Sequence, residues 1–322
     1  MFKLNFDIPP LSKKIDLKDS ILMLGSCFVD SIGAYLHDHK FEVSVNPLGT
    51  LFNPISIFNS LNITLGKQSM QPIQQRNDLF FSWDTHSRWS AKSKGDLQSA
   101  LASEFKVIAS HIKKAQWIMI TLGTAHVYEW NASGQIVANC HKFPQQDFSK
   151  RLLSAEEISQ AFHETQAQVK AINPEVQWLL TVSPVRHIKD GLIENNRSKS
   201  ILIQSISAMV HEFDHCHYFP AYEIMMDELR DYRFYKEDMI HPNDQAIRYI
   251  WEAFQEASLN ERTKVFCDRW SKLLSALRHR PIHSGSTDHQ LFLNATRRKL
   301  KELENMVDIT AELEIIDAQI QA

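Results

Sequence analysis

Residues 21–28, ILMLGSCF, form the stretch that decides the fold. Four apolar residues at 21–24 lead into Gly-Ser-Cys at 25–27, and VDSIGAYLHDH then spaces its apolar residues as an amphipathic helix does. The pattern predicts a buried strand that turns sharply into a helix. A serine in such a turn can cap the helix, bind an anion or attack a carbonyl carbon.

The rest of the chain repeats this alternation of short apolar runs and longer helical patterns. Short strands separated by helices indicate a mostly parallel sheet with helices on both faces, a three-layer doubly wound α/β fold. We predict five strands, at residues 21–24, 41–45, 117–121, 178–182 and 218–222. We predict six helices in this part of the chain, at residues 28–39, 54–64, 96–113, 154–171, 195–213 and 243–258.

Two segments depart from the alternation. Residues 76–91 and 126–139 have the spacing and turn residues of β-hairpins, and we expect them as insertions at the sheet edge or over the site. The alternation itself ends near residue 258. We therefore predict a main domain at 1–258 and a C-terminal helical extension at 259–322.

The C-terminal extension is predicted to hold helices at 261–279 and 288–320, joined by the turn-forming sequence PIHSGSTD. Leu293, Leu300 and Val307 recur every seven residues among many charged side chains. Such a helix packs either on its own domain or on a second copy of the chain. The sequence favours the first and leaves a homodimer open.

The charge and hydropathy of the chain limit the kinds of partner and cellular setting that we expect for the protein. A formal charge of -3 and an isoelectric point near 6.6 provide no long-range attraction for nucleic acid or an anionic membrane. The N-terminus lacks the apolar core of a signal peptide, and no apolar run reaches the length of a membrane span. We expect a soluble, cytoplasmic, bacterial-type protein. Its reduced cysteines lack any CxxC spacing and are Cys27, Cys140, Cys216 and Cys267.

Polar residues follow the first four predicted strands. In an open α/β sheet, ligands bind beyond the carboxyl ends of the strands, so these residues are the candidates for chemistry. They are Gly-Ser-Cys at 25–27, NPLGT at 46–50, GTAH at 123–126 and SPVRH at 183–187.

Ser26 and the segment DMIHPND together contain the parts of a nucleophilic site. A serine at a strand-to-helix turn presents its hydroxyl at the sheet edge, and its own N–H is an oxyanion donor. The hydroxyl needs a base, which His241 supplies if Asp238 fixes its tautomer. The sequence therefore predicts a Ser, Asp, His site in that chain order.

Seven motifs along the chain resemble those of one family. They are GSCF at 25–28, NPLGTLFNP at 46–54, TLGTAHVY at 121–128, NCHK at 139–142, TVSPVRHIKDGLIEN at 181–195, YFPAYEIMMDELRDYRFY at 218–235 and DMIHP at 238–242. Together they resemble the GSCFA family over residues 20–255. That family is similar to the SGNH, or GDSL-like, hydrolases, which have a flavodoxin-like sheet and are mostly esterases, lipases, carbohydrate acetylesterases or acetyltransferases.

The resemblance implies a role for four residues. Ser26 stands at the position of the nucleophile, Asp238 and His241 at the positions of the DxxH pair, and Gly49 at that of a second oxyanion N–H. The SGNH pattern also has an asparagine two residues after the glycine that follows the third strand. Here that position is Ala125, which has no side-chain donor.

Another side chain must therefore act as the third donor, or the oxyanion has backbone donors alone. The candidates are Asn46, Thr124, His126, Asn139, His141 and Arg186. Arg186 could also bind a carboxylate or phosphate with two hydrogen bonds. His86 and His187 either line the pocket or are structural histidines.

Two other patterns compete with this interpretation, and a third resembles a nucleic-acid-binding surface. Cys27 could be the nucleophile, although the residue after Ser26 more often faces the core. HEFDH at 211–215 has the HExxH spacing of a zinc site but falls at a predicted helix end. The run DELRDYRFYKED, with Arg230 and Arg233, alternates in charge, which predicts a paired loop that supports the DxxH segment.

The sequence thus predicts a serine esterase or acyltransferase that acts on a small O-acyl ester, on a carbohydrate-like acceptor. It predicts no cofactor and no metal. The alternative is a ligand-binding protein on the same fold that lacks catalysis. A zinc hydrolase that uses residues 211–215 is the least favoured.

Overall fold

The computed structural model describes residue 4, residues 7–279 and residues 286–321. Its strands, in chain order, are β1 (Ser20–Gly25), β2 (Glu42–Val45), β3 (Gln74–Arg76), β4 (Leu79–Phe81), β5 (Ser90–Ala91), β6 (Trp117–Leu122), β7 (His126–Trp130), β8 (Gln135–Val137), β9 (Phe148–Leu152), β10 (Gln177–Val182) and β11 (Cys216–Tyr218). Its helices are α1 (Phe28–Asp38), α2 (Pro54–Thr64), α3 (Lys94–Lys114), α4 (Ala155–Lys170), α5 (Leu192–Glu212), α6 (Ala221–Glu223), α7 (Asp244–Ser258), α8 (Glu261–Leu277), α9 (Thr287–Lys301) and α10 (Thr310–Gln321).

The main sheet has five strands in the order β11-β10-β6-β1-β2, and every neighbouring pair is parallel. This confirms the predicted doubly wound α/β fold. The predicted fifth strand at 218–222 is shifted: β11 ends at Tyr218, because the chain passes Pro220 and begins α6 at Ala221. The predicted helices match α1 to α5 and α7 to within a turn.

Successive side chains of β1 point to opposite faces of the sheet, and they pack in two separate apolar clusters. Ile21 and Met23 pack in one apolar cluster with α1, α7 and α8, whereas Leu22 and Leu24 pack in the other with α2 to α5. All six residues of β1 are buried. Residues 21–24 are an unbroken apolar run because helices cover this strand on both faces.

Most helices begin at a side-chain cap. The cap oxygen accepts the N–H three residues later at Asn53 for α2, Ser93 for α3, Ser154 for α4, Asn243 for α7 and Asn260 for α8. By contrast, α1 begins at Cys27 and α5 at Gly191 without a side-chain cap. These two helices start at the edge of the sheet that carries the predicted site.

The two predicted hairpins are each part of a three-stranded antiparallel sheet. The segment predicted at 76–91 forms β3-β4-β5, and the segment predicted at 126–139 gains β9 as a third strand in the order β8-β7-β9. The prediction missed β9 because its residues, FSKRL, alternate weakly. Phe81 and Trp83 from the first insertion pack with Val137 and Phe148 from the second, so the two insertions share an apolar cluster.

The C-terminal region differs from the single helix predicted at 288–320. The chain forms α9 and α10 instead, because it turns back between them to bury Leu303 and Ile309. Leu293 and Leu300 are fully buried in the same cluster as α1 and α8. This face of α9 therefore packs on its own chain, and a homodimer stays a prediction. Most of the predicted linker, residues 280–285, lies outside the described residues.

All four cysteines are free thiols. In the ranges that the structure describes, no helix combines the length and the apolar composition needed to cross a membrane.

Candidate active site

Ser26 lies where β1 ends and α1 begins, and its position depends on Gly25. Gly25 has φ of +138°, and a Cβ at this residue would lie 2.2 Å from the carbonyl oxygen of Thr121 on β6. Only glycine, which has no Cβ, allows the two backbones to come this close. Cys27, not Ser26, is the N-cap of α1, and Ser26 Oγ accepts a single long hydrogen bond, 3.4 Å, from the N–H of Phe28. The serine hydroxyl is therefore not committed to capping the helix.

The surroundings of Ser26 are tightly packed. The side chain lies against Gly123, where a Cβ would approach the Cβ of Ser26 to 3.3 Å and the carbonyl oxygen of Phe52 to 3.0 Å. The N–H of Leu51 donates to the carbonyl of Gly25 at 3.0 Å. As a result Ser26 is only 2% exposed.

The two predicted oxyanion N–H groups both have partners within the chain. The N–H of Ser26 donates to the carbonyl of Thr121 at 3.1 Å, and the N–H of Gly49 donates to that of Asn46 at 2.8 Å. Gly49 has φ of +84° and lies against the side chain of His86, which a Cβ there would contact at 2.2 Å. An oxyanion would share each N–H with a carbonyl or displace that carbonyl.

Asn46 connects the end of β2 to the turn at Gly25. Its Oδ1 accepts the N–H of Gly25 at 2.9 Å, and its Nδ2 donates to Asp30 at 2.9 Å. The residue is buried and has φ of +43°, a conformation that asparagine tolerates better than most residues. Asn46 therefore holds the turn in place, and one of its two amide protons is already used.

Asp238 and His241 form a hydrogen-bonded pair. His241 Nδ1 and Asp238 Oδ2 are 2.7 Å apart, and Asp238 Oδ1 accepts the N–H groups of His241 at 3.0 Å and Ile240 at 2.9 Å. These backbone donors, with the imidazole, lower the pKa of Asp238 to about 2. An ionised carboxylate only accepts hydrogen bonds, so Nδ1 carries the proton and Nε2 is the basic nitrogen.

The structure does not join this pair to the serine. Within residues 7–279, which include both side chains, no hydrogen bond links His241 to Ser26. Catalytic hydrogen bonds are often longer in the absence of a substrate. The contact between base and nucleophile therefore stays a prediction.

Arg186 attaches the DxxH segment to the end of β10. Its N–H donates to the carbonyl of Ile240 at 3.5 Å, and its guanidinium donates to that of Met239 at 3.3 Å. The guanidinium also lies over the rings of Tyr235, at 4.4 Å, and Tyr232, at 5.5 Å. Arg186 borders a cavity of about 560 Å³. Its other polar lining residues include Tyr222, Asp227, Arg230 and Asp231. Ser26, Asp238 and His241 do not line it, and Arg186 is the residue that links it to the DxxH segment.

Thr124, His126 and His187 lie at the ends of β6 and β10. The hydroxyl of Thr124 is 3.1 Å from that of Ser198 and accepts the N–H of His126. His187 packs edge-on against the ring of Phe52, and burial lowers its pKa to about 4. It is neutral at pH 7.

Asn139 and His141 belong to the insertion sheets and not to the strand ends. Asn139 accepts the N–H of His141, and His141 Nε2 donates to the carbonyl of Ser82 at 2.9 Å. Burial lowers the pKa of His141 to about 4. Both residues line a second cavity, of about 630 Å³, with Arg76 and Ser87. This cavity lies beside the loop of His86.

The polar face of α5 was not predicted from the sequence. Asn195, Ser198 and Lys199 are buried and point at the strand ends, where Asn195 accepts the N–H of His187 and Ser198 that of Ala125. Asn195, Ser198 and Lys199 are spaced i, i+3 and i+4, so they lie on the same helix face as the buried Leu202. That periodicity could have shown that three polar residues occupy core positions.

The structure does not support the zinc or cysteine alternatives. α5 ends at Glu212, so His215 lies outside the helix, and its Nε2 is 3.2 Å from Gln166. His211 and His215 therefore do not share a helical face. Among residues 7–279 and 286–321, no three His, Cys, Asp or Glu side chains are grouped as metal ligands. Burial raises the pKa of the Cys27 thiol, which disfavours a thiolate nucleophile.

Comparison with known proteins assigns the chain to a family. A model described as the GSCFA family matches residues 20–254, and a model described as "GSCFA domain protein, C-terminal domain" matches residues 270–322. No curated protein matches the chain. The first match contains the whole main sheet, Ser26 and the Asp238–His241 pair, and it covers more than half of the sequence. The chain therefore belongs to the GSCFA family.

Proposed function

We propose that the protein is a serine esterase or acyltransferase of SGNH type that acts on a small O-acyl ester of a carbohydrate-like alcohol. Ser26 Oγ attacks the ester carbonyl carbon while its proton passes to His241 Nε2. The alcohol leaves with that proton, and water or a second hydroxyl group then releases the acyl group from Ser26.

One observation carries the proposal, which is the Asp238–His241 pair. The carboxylate receives three hydrogen bonds from the DxxH segment, one of them from the imidazole at 2.7 Å. This arrangement makes Nε2 the basic nitrogen of His241 and stabilises the imidazolium that forms when it takes a proton.

The cavity beside Arg186 supports the choice of substrate. Its volume of about 560 Å³ suits a small molecule, and it combines tyrosine rings with arginine and aspartate side chains. Such a lining can stack on a sugar ring and hydrogen-bond its hydroxyl groups.

A fluorophosphonate probe together with p-nitrophenyl acetate tests the proposal. We expect the wild-type protein to be labelled at Ser26 and to hydrolyse the ester. Ser26→Ala and His241→Gln should lose both signals, whereas Cys27→Ala should keep them, since burial raises the pKa of the thiol and disfavours a thiolate. Equal labelling of wild type and Ser26→Ala would falsify the proposal, provided that thermal unfolding shows both to be folded.

The second candidate is a ligand-binding protein without catalysis. The observations that favour it are the 2% exposure of Ser26 and the engagement of both predicted oxyanion N–H groups by carbonyls. In that case Ser26→Ala has no effect on ester turnover, and a carbohydrate still binds near Arg186. The same experiment therefore separates the two candidates.

A further inference from the structure

Lys199 is a buried amine at the edge of the sheet that carries Ser26. It is 1% exposed, and its Nζ donates to the carbonyl oxygens of Gly123 and Ser183, both at 2.7 Å. These carbonyls belong to the first residues after β6 and β10. An ammonium group has three N–H donors, so one remains beyond these two bonds.

No anion neutralises this amine. In the described part of the chain, Lys199 has no carboxylate within ion-pair distance, and the titratable groups that face it are Cys27, His187 and Tyr222. Burial raises the pKa of Cys27 and Tyr222 and lowers that of His187, so all three are neutral near pH 7. The amine itself is desolvated, which lowers its pKa to about 7. Its charge therefore changes within the working range of most enzymes.

The loop after β6 has no free backbone donor to replace the missing asparagine. The N–H groups of Gly123 and Thr124 both donate to the carbonyl of Phe52. The N–H of Ala125 donates to Ser198, and that of His126 donates to the hydroxyl of Thr124. An oxyanion at Ser26 thus gains nothing from the N–H groups of this loop.

We propose that the Lys199 ammonium provides the positive potential that stabilises the oxyanion formed at Ser26, acting through the Gly123 peptide that it binds. A Cβ on Gly123 would lie 3.3 Å from the Cβ of Ser26, so the residue whose carbonyl binds the amine lies beside the Ser26 side chain. In a water-excluded site a nearby charge acts with little screening. Lys199 is a positioning residue, because it does not touch the substrate.

The inference rests on the proposed function, and the pH profile of ester turnover tests it. We expect kcat of the wild type to fall above pH 7 as the amine becomes neutral. Lys199→Met should lower kcat by about tenfold or more with little change in KM. Its profile should lose the alkaline fall.

Lys199→Arg is the matched control, because arginine stays charged across this range. We expect it to keep more activity than Lys199→Met and to lose the alkaline fall. A wild-type kcat that stays constant from pH 7 to 9 overturns the inference even if neither variant folds. So does an alkaline fall that persists in a folded Lys199→Met. Absence of any Ser26-dependent turnover instead overturns the proposed function, and the inference with it.

Discussion

Gly25 determines how closely Ser26 approaches the sheet. A side chain at this residue would overlap the backbone of Thr121 on β6, and the φ of +138° is outside the range of L-residues with a Cβ. The N–H of Gly25 also donates to the amide oxygen of Asn46. The glycine therefore fixes the strand-to-helix turn on which the position of the serine depends.

Gly25→Ala should destabilise the fold strongly, and Gly134→Ala is the matched control. Both glycines have positive φ, but Gly134 has no neighbour within 4 Å of an added Cβ. We expect Gly134→Ala to cost about 1 kcal/mol, from the backbone strain alone. Gly25→Ala should cost at least about 2 kcal/mol more, because the backbone of β6 cannot move aside. Urea unfolding measures the difference, and equal costs would show that the turn is free to relax.

At the scale of the element, the start of α7 holds the DxxH segment. Asn243 accepts the N–H of Ala246 at 3.0 Å, and its amide donates to the carbonyl of Arg233 at 2.6 Å. One side chain thus caps the helix and closes the loop that contains Asp238 and His241. The charge pattern of DELRDYRFYKED predicted a supporting loop, and Arg233 does pair with Asp231 at 3.3 Å.

Asn243→Ala should therefore affect both stability and turnover, whereas Asn260→Ala should affect stability alone. Asn260 caps α8 in the same way, through the N–H of Thr263 at 2.8 Å, and does not contact the DxxH segment. Loss of either cap should cost about 1 kcal/mol. We expect kcat to fall by about tenfold in Asn243→Ala only, since His241 loses its fixed position. Equal kcat values in the two variants would contradict a role for this cap in the site.

On the scale of the whole molecule, the C-terminal helices share a core with the main sheet. Trp270 of α8 is fully buried, and its indole N–H donates to the carbonyl of Asp38 at the end of α1 at 2.7 Å. Leu293 of α9 lies in the same apolar cluster as Ile21 and Met23 of β1. The predicted boundary near residue 258 therefore separates two stretches of sequence that pack around one core.

Trp270→Ala tests this shared core. Truncation of a buried tryptophan costs roughly 3 to 5 kcal/mol, and we expect a loss of that size in the free energy of unfolding of the whole chain. Val265→Ala, on the exposed face of the same helix, should change it by about 0.5 kcal/mol or less. Far-ultraviolet circular dichroism in urea should show a single transition for both variants. Two separate transitions would mean that the C-terminal helices unfold independently of the sheet.

The sequence by itself determined the sheet, its helices and the candidate nucleophile, base and acid. Strands buried on both faces must be continuously apolar, and ligand-binding residues must follow them, so both patterns are local and visible in the chain. By the same reasoning Ser26 and the DxxH spacing could be identified, since each depends on a few adjacent residues.

Only the tertiary structure decided which groups face one another. Lys199 is separated from Gly123 by 76 residues. The residues around Lys199 in the sequence do not indicate that a lysine at a core position donates to two carbonyl oxygens. The third strand β9 and the break between α9 and α10 likewise depend on the burial of residues distant in sequence. Packing between elements also decides which N–H groups after β6 are occupied, and it brings the Lys199 amine to the carbonyl of Gly123, the first residue after that strand.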